Sequence, residues 1–172
     1  PMSRVILLWS GGKDAMLALC HARAAGHQVV ALATFAPPAP RFLAHPLPLV
    51  RRQAAALGLP HQLVTIEAPF EQSYETALSR LQQEWALDGV VTGDIDSVGG
   101  APNWIRERSQ PLGLTVHTPL WQQSRQALLA DMLARGIVAH LSCVDTRVLA
   151  PEWAGRVLDA ATLTELQQLA ER

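Results

Sequence analysis

Five consecutive residues, Ser10-Gly11-Gly12-Lys13-Asp14, stand between the apolar run Val5-Ile6-Leu7-Leu8-Trp9 and an Ala-rich stretch of helical pattern. This order of parts suits phosphate binding. Paired glycines let the backbone turn tightly and come close to an anion. A helix starting there aims free N–H groups and the positive end of its dipole at the ligand. Lys13 adds a cation and Ser10 a hydroxyl donor, while Asp14 either caps the helix or ligates a magnesium ion. The spacing is neither the Walker pattern nor the dinucleotide pattern GxGxxG. A plain glycine turn with a solvated lysine is the bland alternative. The apolar strand directly before the loop favours the phosphate reading.

Other residues could do chemistry at the ends of further strands. Asp94, in Gly93-Asp94-Ile95-Asp96, reads as a magnesium or substrate ligand beside the phosphates, or as a turn aspartate. Asp96 divides evenly between a ligand and a surface turn. Thr34 and Phe35 end a strand, where ligands of such folds bind. His45 contacts nucleotide or substrate, or faces solvent. Arg106 and Arg108 meet a substrate anion or form a solvated helix face. Trp121 follows Pro119-Leu120, and a core-capping indole is its simpler reading. Cys143 lies in an apolar run and reads as core.

The elements that must position these residues follow from the hydrophobic pattern. Strands are expected at Val5–Trp9, Val29–Phe35, Gln62–Ile66, Gly89–Gly93, Leu114–His117 and Ile137–Val144. Helices are expected at Lys13–Ala25, Leu49–Leu57, Phe70–Trp85, Asn103–Gln110, Ser124–Arg135 and Thr162–Ala170, the last capped by Thr162 or Thr164. Five prolines between Pro37 and Pro48 mark an irregular segment. Alternating strands and helices imply an α/β fold with a parallel sheet covered on both faces. Ligands of such sheets lie beyond the carboxyl ends of the strands. Ser10–Asp14, Thr34–Phe35, Gly93–Asp96 and Pro119–Trp121 all fall there.

Composition narrows the function. A length of 172 residues fits one domain, 1–172, and 49% hydrophobic residues suffice for its core. With 14 basic and 15 acidic residues, the chain does not bind nucleic acid through bulk charge. Two distant cysteines form neither a disulfide framework nor a zinc site, so a reducing cytoplasm is expected. No signal peptide and no membrane span are expected from the pattern.

The motifs resemble a known family. Ser10–Asp14 is similar to the PP-loop signature SGGKDS of the N-type ATP pyrophosphatases, with Ala15 in place of the final serine. Four further segments resemble the diphthine–ammonia ligase branch, which carries the ATP-binding domain of diphthamide synthesis. They are Gln53–Pro60, Gly93–Asp96, Leu112–Leu114 with Thr118–Trp121, and Gly136–Ala139 with Gly155–Asp159. The likeness spans nearly the whole chain and is nearer to short bacterial relatives than to the archaeal and eukaryotic enzymes.

The resemblance implies a three-layer α/β/α sandwich of the HUP, adenine nucleotide alpha hydrolase-like type. Its five-stranded parallel sheet would run in the order 3-2-1-4-5, with ATP above strands one and four. It implies ATP and Mg2+ as cofactors, with Ser10, Gly11, Gly12, Lys13, Asp14, Thr34, Phe35 and Gly93 binding nucleotide. Lys13 and Asp94 would be catalytic, and Asp14 and Asp94 would hold the metal. His45, Asp96, Arg106 and Trp121 are candidates for the substrate side, which the part from about 115 to 172 would complete. The implied reaction adenylates a carboxylate, releases pyrophosphate, and lets ammonia or an amine displace AMP. The acceptor is a small-molecule or protein-borne carboxylate, and a homodimer is compatible with the pattern. The alternative is a nucleotide-binding or regulatory domain without turnover. A tRNA-modifying enzyme is a weaker one, since no CxxC pair or RNA-binding module is visible.

Overall fold

The computed structural model describes residues 2–97 and 103–171. The small-residue segment following Ser97, at 98–102, lies outside the described residues. Strand β1 (Arg4–Leu8) shows how the sequence builds the layers. Val5, Ile6 and Leu7 are all fully buried. Successive strand residues point to opposite faces. Val5 and Leu7 accordingly join one apolar cluster and Ile6 joins the other. A strand buried on both faces belongs in the centre of a parallel sheet.

Around it stand β2 (Gln28–Ala36), β3 (His61–Thr65), β4 (Gly89–Val91) and β5 (Thr115–His117), all parallel, in the order β3-β2-β1-β4-β5. Helices α1 (Lys13–Ala24), α2 (Leu47–Ala56) and α5 (Arg125–Ala134) supply Leu17, Val50, Ala54 and Leu128 to the face of Val5 and Leu7. Helices α3 (Phe70–Trp85) and α4 (Trp104–Ser109) bring Leu78, Leu81 and Ile105 to the face of Ile6. This is the three-layer α/β/α sandwich of the HUP type. Strand order reverses between β1 and β4, which makes the carboxyl end of that pair the switch point where ligands bind.

The C-terminal segment departs from expectation. Residues 137–144 form no strand, and a single antiparallel bridge joins His140 to Val157. The short β5 offers only a three-residue ladder, and the apolar run pairs instead with the chain's own tail. Leu141 N donates to Arg156 O at 2.9 Å, and Leu158 N donates to Ala139 O at 2.8 Å. Strand propensity follows such context more than the side chains themselves. Cys143 is therefore exposed, not core. Helix α6 (Ala160–Ala170) starts earlier than expected. Its cap is Asp159, whose Oδ1 accepts from Thr162 N at 2.8 Å, and not Thr162 or Thr164. Among the described residues no helix is long and apolar enough to cross a membrane.

Candidate functional site

The loop after β1 divides its labour between two glycines. Gly11 takes φ +78°, a conformation that suits glycine, and a Cβ there would stand 2.5 Å from Gln53 Oε1. Gln53 Nε2, from α2, donates to Gly11 O at 3.1 Å and fixes the turn. Gly12 has φ −86° and precedes α1 as its N-cap without any side-chain cap bond. Its N–H donates to Ser10 Oγ at 3.2 Å. A Cβ on Gly12 would lie 3.4 Å from His45 Nε2, so the His45 imidazole stands over the loop. The first turn of α1 is left open to an anion.

Above the loop lies a cavity of about 740 Å³, within the range of a ligand site. Leu8 and Ala33 line it from the sheet, Trp9 and Ser10 from the loop after β1, and Asp14 and Ala15 from the first turn of α1. The proline-rich segment contributes Arg41 to His45 as a strap over one side. Tyr74 and Ile105 close the side of α3 and α4, and Thr92, Gly93 and Asp94 that of β4.

Strand β2 outruns β1. Its last pair with β1 is Leu8 with Ala33, whereas it pairs with β3 as far as Ala36 with Thr65. Thr34 to Ala36 thus have no strand partner on the β1 side, which leaves backbone groups for a planar ligand edge. Thr34 Oγ1 donates to Trp9 O at 2.6 Å and lies 2.8 Å from His61 Nε2. With the hydroxyl proton engaged, His61 must donate from Nε2, which assigns its neutral tautomer. Burial, then the Arg51 charge, hold the His61 pKa below its ordinary value.

Gly93 brings β4 onto the loop, since its added Cβ would stand 2.9 Å from the carbonyl carbon of Asp14. Asp94 follows. Its Oδ2 accepts from Thr92 Oγ1 at 2.8 Å and from Asn103 Nδ2 at 3.0 Å. Asn103 Oδ1 meanwhile caps α4 by accepting from Arg106 N at 3.0 Å. Tyr74 meets Phe35 edge-on at 5.0 Å between ring centroids and Trp104 at 5.8 Å. Burial raises the Tyr74 pKa, which keeps the phenol a neutral donor at the cleft wall.

Of the residues expected from sequence, Ser10, Asp14, Thr34, Phe35, His45, Gly93 and Asp94 meet around this cleft, with Gly11 and Gly12 forming the turn that supports it. Lys13 is turned away. Its Nζ lies 2.8 Å from both carboxylate oxygens of Asp14, and it lines a smaller crevice between α1 and α5. Asp14 does not cap the helix but sits in its first turn. Asp96, Arg106 and Trp121 do not line the cleft. Asp96 Oδ1 accepts from Ser97 N at 2.7 Å in an exposed turn, Arg106 reaches Thr118 Oγ1 at 3.4 Å, and Trp121 is half-buried in the turn after β5. Sequence reading missed Arg41, Phe42, Gln53, Tyr74 and Asn103. Asn103 carried a local signal, an asparagine before a helix, and Gln53 opens the family-like segment Gln53–Pro60, though neither was assigned to the site.

Among the described residues no group of three or more His, Cys, Asp or Glu side chains gathers as a metal cage. Magnesium does not need one, because one or two carboxylates and the substrate phosphates usually hold it. Asp14 and Asp94, both on the cleft, fit that donor set.

Comparison with known proteins agrees with this architecture. The family model described as the diphthamide synthase N-terminal domain matches residues 3–115. A diphthine–ammonia ligase from Danio rerio is 29% identical over 176 aligned positions, which cover 87% of this chain and 67% of that protein. A crystal structure described as a predicted subunit of tRNA methyltransferase from Methanocaldococcus jannaschii superposes with TM-score 0.57 and 18% identity, covering 91% of this chain and 93% of that one. A U34-tRNA thiolase from Methanococcus maripaludis superposes with TM-score 0.54 and 14% identity, covering 86% and 62%. At such identities these two structures speak to the fold alone. The chain belongs to the diphthamide synthase N-terminal domain family, and with it to ATP-binding, ligase-type enzymes that form amides.

Proposed function

We propose that the protein adenylates a carboxylic acid with ATP and passes the acyl group to ammonia or an amine. The observation that carries this is the uncapped phosphate loop opening onto a cleft of about 740 Å³ that also holds Asp94. Backbone N–H groups of the first turn of α1 bind the phosphates, and the open edge of Thr34 and Phe35 takes adenine. Both ATP and acceptor then lie at the switch point between β1 and β4.

The acceptor carboxylate attacks the α-phosphorus, and the bond to the β-phosphate oxygen breaks. Pyrophosphate leaves with its electron pair. Ammonia next attacks the acyl carbon, AMP leaves, and the proton lost from nitrogen passes to solvent. No protein nucleophile is needed. Fixed N–H donors and Lys13 stabilise charge that grows on the phosphates, because they need no reorganisation as the reaction proceeds. Asp14 and Asp94 would hold magnesium, which supplies further neutralisation of that charge. Lys13 must leave Asp14 to take part. A phosphate anion carries more charge than a carboxylate and favours that exchange.

The segment from about 115 to 172 completes the acceptor side of this single domain, with His45 acting from the strap. The free Cys20 and Cys143 suit a reducing compartment such as the cytoplasm. Pyrophosphate release on adding ammonium and each of a panel of carboxylic acids tests the proposal. Release that depends on both acid and ATP supports it. A regulatory nucleotide-binding domain is the second reading, favoured by the Lys13–Asp14 pair and by Ala15 in place of a hydroxyl. Tight ATP binding without turnover on any acid would select it.

A further inference from the structure

Beside the ATP cleft lies a crevice of about 80 Å³ between α1 and α5. Leu17, Ile95, Leu128 and Met132 form its apolar walls, and the ionic groups on it are Lys13, Asp14 and Arg125. Asp14 also lines the main cleft, so the two spaces adjoin at the phosphate loop. Lys13 is paired with Asp14, whereas Arg125 makes no ion pair or side-chain hydrogen bond among the described residues. Arg125 is the first residue of α5, which Ser124 caps by accepting from Ala127 N at 3.1 Å. Its position is therefore set by a well-ended helix.

We propose that this crevice mouth is a subsite for the terminal phosphate of ATP, with Arg125 as the residue that distinguishes a triphosphate from a monophosphate. The inference rests on the proposed ATP site. A triphosphate on Ser10–Asp14 has to pass Asp14, whose carboxylate repels it unless neutralised. In the structure Lys13 cancels that charge. When Lys13 leaves Asp14 for the phosphates, as the proposed reaction requires, Arg125 is the cation on the crevice that no carboxylate among the described residues engages, and it meets the terminal phosphate. Its planar fork matches phosphate oxygens bidentately. AMP, which ends at its α-phosphate, does not reach this point.

The test is calorimetric binding of ATP, ADP, AMP and inorganic pyrophosphate to wild type, Arg125→Ala, Arg125→Lys and Arg147→Ala. Arg147 pairs with Asp145 on an exposed loop and serves as the charge control. Arg125 is exposed, so the alanine variant should keep its fold, which circular dichroism checks. Arg125→Ala should weaken ATP and pyrophosphate about ten- to a hundredfold, as for loss of a charged hydrogen-bond partner, and leave AMP unchanged. Arg125→Lys should fall between, and Arg147→Ala should match wild type. Equal losses for ATP and AMP, or no loss for either, would overturn the subsite while leaving the ATP site standing. Wild-type protein that binds no nucleotide would overturn the proposed function and the subsite together.

Discussion

Gly93 and Asp14 are packed backbone to backbone: a Cβ on Gly93 would lie 2.9 Å from the carbonyl carbon of Asp14 and 3.0 Å from Ala15 N. The segment just after β4 is therefore packed directly on the backbone at the start of α1. Gly93→Ala must push them apart, since neither contact is with a flexible side-chain tip. Overpacking of this kind costs about 1–3 kcal/mol. The expected outcome is a lower melting temperature together with weaker ATP binding by calorimetry. Unchanged ATP affinity would mean that the register between β4 and the loop is not needed for the nucleotide.

The two loop glycines should fail in different ways. Gly12 has φ −86°, which any residue tolerates, and the atoms nearest its Cβ would be Ser10 Oγ at 3.3 Å and His45 Nε2 at 3.4 Å. Gly12→Val is expected to fold and to lose ATP binding, because its methyl groups take the anion's place. Gly11→Val meets a positive φ and Gln53 Oε1 at 2.5 Å, so it should lose stability as well. Melting curves and nucleotide titrations of both variants separate the effects. Full ATP affinity in a folded Gly12→Val protein would place the phosphates elsewhere.

Asp94→Asn should impair turnover more than binding. Asn preserves the shape and can still accept from Thr92 Oγ1 and Asn103 Nδ2, but it loses the charge that would hold magnesium. A contact made chiefly in the transition state lowers kcat with little effect on ground-state affinity. The expected loss in kcat is about a hundredfold. The magnesium dependence of ATP binding gives a second readout, and identical curves for the two proteins would remove the metal role.

Acid should destabilise the fold before its carboxylates titrate. Burial, then the charges of His27 and Arg106, lower the His117 pKa from 6.5. Burial and Arg51 lower that of His61 from the same value. The unfolded chain takes up these protons as pH falls through about 6.5, while the folded chain resists until its lowered values are reached. Stability is thus full above pH 6.5 and lost as pH falls below it. Urea midpoints should be lower at about pH 5.5 than at about pH 7.5, and His117→Gln should flatten the difference. A midpoint that does not change across this window would contradict the assignment.

The parts of the fold legible in the sequence are those whose signal is local. Val5 to Leu7 read as a central strand because burial on both faces requires an unbroken apolar run. The turn at Gly11 and Gly12 is legible because strand, glycines and helix are adjacent in the chain; its use as a phosphate cradle is the proposal made above. Helix α3 spans Phe70–Trp85 as the sequence pattern places it. Residues 137–144 read as a strand and are not one, because an apolar β-branched run does not reveal whether a sheet edge is there to receive it. The places of Tyr74, Gln53 and Arg41 at the cleft are not legible for a related reason. Each reaches the cleft from a different element, and no spacing in the sequence links them to Gly11 or Phe35. The pairing of Lys13 with Asp14 was likewise hidden, since adjacency in sequence does not show which way two long side chains turn.

The most direct test of the account is the identity of the products formed from ATP. Phosphorus NMR of a reaction containing the protein, ATP, magnesium, ammonium and an accepted carboxylic acid reports them without labels. Cleavage between the α- and β-phosphates predicts AMP and pyrophosphate in equal amounts. ADP and inorganic phosphate as the main products would show attack at the γ-phosphate and contradict the proposed use of the loop Ser10–Asp14.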